Sequence, residues 1–108
     1  MSEINLLVST IRDSKLCEVV ICYQKGKSKV ILKLSKNNKP NNVILKGIKE
    51  IIIFDDSVQQ EYIGMTKGIQ ESPNSYWLSL DPYNDRVNQI EEKDNYVFKF
   101  TEFQIVRN

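Results

Sequence analysis

From Cys17 to Ser35 the chain alternates apolar and polar residues with a period of two, interrupted once by a glycine. CEVVICYQ places Val19, Ile21 and Tyr23 on one face and Glu18, Val20 and Cys22 on the other. KSKVILKLSK returns with Val30, Leu32 and Leu34 on one face and Lys29, Ile31, Lys33 and Ser35 opposite. With QKGK between them, the two runs predict a β-hairpin packed on one side and wet on the other. Upstream the period changes. Ile4, Leu7, Val8 and Ile11 follow the spacing of one helical face, which predicts a short amphipathic helix over residues 2 to 13. Ser2 suits its N-cap, Glu3 the positive end of its dipole and Arg12 the negative end. The competing reading is an initial strand through INLLVS, because Ile and Val are β-branched.

NNKPNN, residues 37 to 42, reads as a loop. VILKGIKEIIIFDD is a long β-prone segment in which Gly47 marks a bulge or a bend where the strand changes faces. QQEYIGMTK is a weaker strand, with a helical turn after Asp56 and Ser57 as the alternative, and GIQESPNS reads as loop. SYWLSL is a strand with Tyr76, Leu78 and Leu80 on one face and Trp77 and Ser79 on the other. DPYNDRVNQIEEKDN is a long polar connection. In NYVFKFTEFQIVRN the apolar phase slips from Tyr96, Phe98 and Phe100 to Phe103 and Ile105, so a bulge is expected near Thr101. About six strands and one short N-terminal helix predict a mainly β fold, an antiparallel sheet closed as a sandwich or an open barrel. The 108 residues fit a single domain, 1–108, and strand–helix–strand alternation is absent.

Composition narrows the chemistry more than the fold. The chain has no His, which excludes Ser-His-Asp and Cys-His nucleophiles and every His-containing zinc site. Two Cys are too few for a tetrathiolate site, and Cys17 and Cys22 read as reduced, buried thiols on opposite faces of one strand. The glycines at 26, 47, 64 and 68 form neither phosphate-binding pattern. Asp55 with Asp56, and Asp81 with Asp85, lack the register of a calcium loop and fit turn chemistry. Asp81, Asp85, Glu91 and Glu92 supply carboxylates for two-acid hydrolysis, but nothing places them around a substrate. The reading is a protein that is not an enzyme and needs no cofactor or metal. MSEINLLVSTIRDSK lacks the features of a signal peptide and no apolar run can span a bilayer, so a cytoplasmic location without membrane contact is expected. Abundant Lys and Asn without Ala suggest an AT-rich coding sequence of bacterial or phage origin.

The formal charge of +1 conceals a division. Residues 1 to 54 hold ten Lys or Arg against four Asp or Glu, and residues 55 to 108 hold five against ten. Such halves make either a dipolar surface or pairs between neighbouring strands. Lys27, Lys29 and Lys33 share strand parity and can present a basic strip to phosphates, with Tyr23 and Tyr76 as stacking platforms. Exposed lysines also guard strand edges against aggregation. In the acidic half, Tyr76, Trp77, Tyr83 and Arg86 lie within eleven residues, the residue types that anchor protein interfaces. The candidate partner-binding set is Trp77, Asp81, Tyr83, Asp85, Arg86, Glu91, Glu92 and Asp94. Trp77 and Tyr83 serve as anchors, Asp81, Asp85 and Arg86 set register, and Glu91, Glu92 and Asp94 steer a basic partner. The alternative is that Tyr76 or Trp77 is plain core beside a turn.

In general form, with VILKGIKEIIIFDD and then SYWLSLDPY before an acidic loop, the chain resembles the small β-rich immunity proteins of bacterial toxin–immunity systems. That resemblance spans about residues 17 to 106. It implies a cytoplasmic, non-catalytic binder that occludes the active site of a cognate toxin, and the acidic half would suit a basic nuclease. The nearly neutral total charge departs from the strongly acidic immunity proteins. A single-stranded nucleic-acid-binding β-barrel and a phage-encoded inhibitor of a host defence protein are the alternatives.

Overall fold

In the structure, a computed structural model, residues 3–55, 61–84 and 86–107 are described. Helix α1, Glu3–Ile11, is followed by β1 (Lys15–Gln24), β2 (Lys27–Lys36), β3 (Lys39–Lys46) and β4 (Glu50–Ile52). Then come β5 (Lys67–Ser72), β6 (Ser75–Asp81), β7 (Asn95–Phe100) and β8 (Glu102–Arg107). They form two four-stranded antiparallel sheets, ordered β1-β2-β3-β8 and β4-β7-β6-β5. The helix expected at the N-terminus is present, and the site proposed for its cap, Ser2, lies outside the described residues.

The strands number eight where about six were expected, because two β-prone runs bend and each contributes to both sheets. β3 continues into β4 through Gly47, and β7 into β8 through Thr101. β3 pairs with β8 and β4 with β7, so a two-stranded ribbon turns the corner between the sheets. Gly47 takes φ +66°, and a Cβ there would collide with the Thr101 hydroxyl. Only glycine allows the two bends to cross so closely. Thr101 N–H donates to Lys46 O at 3.0 Å, and Lys49 N–H to Lys99 O at 2.8 Å. The ladder is thereby carried round the corner.

The β1–β2 hairpin turns at Lys25–Gly26, with Gly26 at φ +78°, and its register pairs Val19 with Leu32 and Ile21 with Val30. NNKPNN is not a loop. Asn37 and Asn38 take φ +55° and +63°, making a tight two-residue turn, and β3 begins at Lys39. Asn tolerates the left-handed region, so turn chemistry concentrated in two residues rather than six. Pro40 is accommodated because it precedes the pairing with β8, which begins at Asn41. GIQESPNS is likewise corrected: Lys67–Ser72 is strand β5, and Pro73–Asn74 is its turn into β6. Of QQEYIGMTK, residues 59–60 lie outside the described set, as does the alternative turn at Asp56 and Ser57. Its Tyr62 makes only an isolated bridge to Lys15, while Lys67 already belongs to β5. Both Cys thiols are free but only partly buried, which corrects the buried reading.

One apolar cluster fills the space between the sheets and under the helix. Ile4, Leu7 and Ile11 from α1 meet Val30, Leu32, Val43 and Leu45 from one sheet and Leu78, Leu80, Phe98 and Phe100 from the other. Each such side chain, fully removed from water, contributes roughly 1.5–3 kcal/mol. Tyr76 belongs to this core at 6% exposure. Its ring stacks on Phe100 at 5.6 Å and meets the edge of Phe103, on the other sheet, at 5.4 Å. The alternation in SYWLSL therefore sends Tyr76 inward and Trp77 outward. The helix docks on β5 at Gly68, where a Cβ would strike Val8 and crowd Ile4.

Candidate functional site

The outward side of β5 and β6 is where the polar connection of residues 82–94 returns. Lys67 pairs with Ser79 across this face, yet both are buried. The Lys67 ammonium donates to Asp94 Oδ2 at 2.9 Å and to Gln89 O at 2.9 Å, with Glu91 Oε1 at 3.5 Å. Asp94 is itself 1% exposed and accepts the Tyr83 N–H on Oδ1 at 2.7 Å and the Glu91 N–H on Oδ2 at 2.8 Å. One carboxylate thus ties both ends of the connection to an ammonium planted on the sheet. Burial works against ionising Asp94, but the Glu91 N–H, the Lys67 ammonium and the Tyr83 N–H together hold its carboxyl below the usual range.

Asn95, next along, is a second clamp. Its Oδ1 accepts the Phe54 N–H at 2.7 Å. Its Nδ2 donates to Asp55 Oδ1 at 3.0 Å and approaches Asp81 Oδ2 at 3.4 Å. Tyr96 follows at φ +52°, an unusual conformation for a bulky residue. Adjacent residues 94 and 95 therefore anchor the backbones of Tyr83 and Phe54. Both rings remain largely in solvent, at 60% and 63% exposure. Lys93 Nζ stands 5.0 Å from the centre of the Tyr83 ring.

The partner-binding set predicted from sequence divides on this geometry. Tyr83, Arg86 and Glu92 are exposed on the connection, and Asp81 is half-buried at its start. Asp85 lies outside the described residues. Asp94 is not a surface charge: it is a buried tie, because its carboxylate accepts three hydrogen bonds inside the fold. Glu91 is mostly withdrawn toward Lys67, so its steering role is reduced as well. Trp77 sits half-buried on the outer face of β6. Its indole N–H donates to Glu71 Oε2 at 2.8 Å, and Lys99 lies 4.8 Å from its ring centre. The indole N–H and then the Lys99 charge hold the Glu71 carboxyl below its ordinary value. Phe54 was missed by sequence reasoning; the end of the apolar run EIIIF was its only signal.

The basic residues Lys27, Lys29, Lys33, Lys39 and Lys46 lie on β2 and β3, while Asp55, Asp81, Glu91 and Glu92 gather around the far sheet and its connection. Ion pairs between described residues close within a half: Lys33 with Glu18, Lys67 with Asp94 and Glu91, Lys99 with Glu71. Of the two stacking candidates, Tyr23 is 81% exposed and Tyr76 is removed by burial. No group of acids, cysteines or histidines placed to hold a metal occurs among the described residues, and no described helix is long and apolar enough to cross a membrane. Comparison with protein-family models, curated proteins and solved structures finds no match.

Proposed function

We propose that the chain is a non-catalytic binding protein of the immunity type, which neutralises a cognate toxin by covering its active site. The observation that carries this reading is the pair of exposed aromatic rings, Tyr83 and Phe54, on backbone braced by Asp94 and Asn95. Rigid aromatic side chains give large contact area at low entropic cost, and bracing lowers the ordering cost of binding. Glu92, with Asp55 and Asp81 nearby in the clamp, offers carboxylates to a basic partner such as a nuclease, beside Arg86 and Lys93 on the same connection.

Capture with the immobilised protein from its source cells, followed by assay of the captured partner, tests the proposal. Stoichiometric protein is expected to abolish the partner's activity. Tyr83→Ala and Phe54→Ala should each weaken inhibition by about 30-fold, the scale of a hot spot. A captured partner whose activity is untouched at saturation would rule out occlusion.

A further inference from the structure

The basic half of the molecule builds a second surface, away from the braced connection. Register sets Cys22 beside Lys29 and Lys29 beside Lys46 across three strands. Lys27 precedes Lys29 by two residues on the same face, so their stems stand about 7 Å apart along the strand. The three lysines line a concavity of about 790 Å³ between the hairpin tip and the Gly47–Thr101 corner. Glu102 is the one acid among its lining residues, so the recess stays net positive. Like charges directly opposite on neighbouring strands are destabilising. Glu102, directly opposite Lys46 on β8, offsets part of that repulsion, which leaves the charge of Lys27 and Lys29 for an anion in the recess to answer. Lys25, exposed in the turn, carries the positive charge around the tip toward Tyr23. Tyr23 points to the opposite face of β1 from Cys22, its ring 81% exposed beside the hairpin turn, so a flexible strand leaving the recess rounds the tip to stack a base on it.

We propose that this hairpin tip and recess bind single-stranded nucleic acid, the lysines taking successive phosphates and Tyr23 a base. A flat anionic bilayer cannot follow the lysines into a recess, whereas a flexible strand can. A rigid duplex offers no free base face to Tyr23.

The test is fluorescence anisotropy with labelled oligo-uridylate and oligo-thymidylate, titrated from low to high salt. Three phosphate contacts predict a log–log salt slope of about −2 for single strands. Lys27→Glu with Lys29→Glu should reduce affinity at least about tenfold, matched by a milder loss in Lys46→Gln. Tyr23→Ala should cost about fivefold or more. Thermal melting of each variant separates lost binding from lost fold, and the wild-type salt slope stands independently of all of them. Absence of binding at low salt overturns the proposal. So does unchanged affinity in the folded lysine variants, tighter binding of a duplex, or binding to phosphatidylserine vesicles that oligonucleotide does not displace. Tyr83→Ala and Phe54→Ala should leave oligonucleotide binding unchanged, which keeps this surface distinguishable from the protein-binding one.

Discussion

Lys67 and Asp94 are the residues on which the candidate protein-binding surface depends. Neither role was legible in the sequence. Lys67 reads as the end of the weak strand QQEYIGMTK, ahead of the loop GIQESPNS, and Asp94 reads as one more acid in an acidic stretch. The pairing joins residues 27 positions apart, and no local periodicity encodes such a contact. Asp94→Asn keeps the shape and a carbonyl acceptor but leaves the buried ammonium short of its counter-charge. A loss of about 3–5 kcal/mol in urea unfolding is expected, the cost of breaking a buried pair from one side. The pH dependence follows from the depressed Asp94 carboxyl. Its folded value lies below its unfolded value, so its contribution is complete above about pH 4 and fades as acid titrates through the folded value. The stability gap between wild type and Asp94→Asn should therefore close below that pH; a constant gap would contradict the ionised tie. Charge reversal of Glu91, Glu92 and Asp94 together is a poor probe of steering, since two of the three hold the connection in place. Glu92→Lys alone is the clean variant, and it should slow association with a basic partner at low salt.

At the scale of the elements, much was readable where a single local signal decided the outcome. The β1–β2 hairpin follows from period-two alternation and a glycine turn, and alternation sets Tyr76 and Trp77 on opposite faces, but which of the two is buried was not readable. The bend at Gly47 and the break at Thr101 were visible as a central glycine and a slip of apolar phase. Their meeting in space was not, because each signal concerns its own strand alone. β5 escaped notice because Gly68, Gln70 and Glu71 lack the apolar alternation of a half-buried strand. Gly68 is in fact there to admit the helix. Gly47→Ala should destabilise by about 1–2 kcal/mol from its positive φ alone, and by more from the collision with Thr101. Gly68→Ala should cost about 1–3 kcal/mol by overpacking against Val8 and Ile4. If α1 docks on β5 as an independent adjunct, hydrogen exchange in Gly68→Ala will rise in the helix ahead of the sheets; uniform acceleration would show that the helix is integral to the core.

Across the whole molecule, Lys27, Lys29, Lys33, Lys39 and Lys46 lie on β2 and β3, while Asp81, Glu91 and Glu92 lie at the end of β6 and on the connection after it, within a net charge of only +1. Net charge therefore hides the field that a partner meets, and composition alone could not tell a dipole from internal neutralisation. The shared ribbon has one more consequence, for the order in which the molecule can assemble. The β1–β2–β3 meander is local and can form early, but its inner face lacks full cover until β6 and β7, which begin 29 and 49 residues after β3 ends, arrive. β8 must then close on β3, and β7 on β4, before the Gly47–Thr101 crossing exists. Such closures fix distant parts of the chain before contacts reward them. Folding on the millisecond-to-second scale, rather than in microseconds, is expected in stopped-flow refolding. During that interval the first sheet presents Val30, Leu32, Val43 and Leu45 with at most the α1 side chains over them, and its lysines are the charge that keeps one nascent chain from joining another.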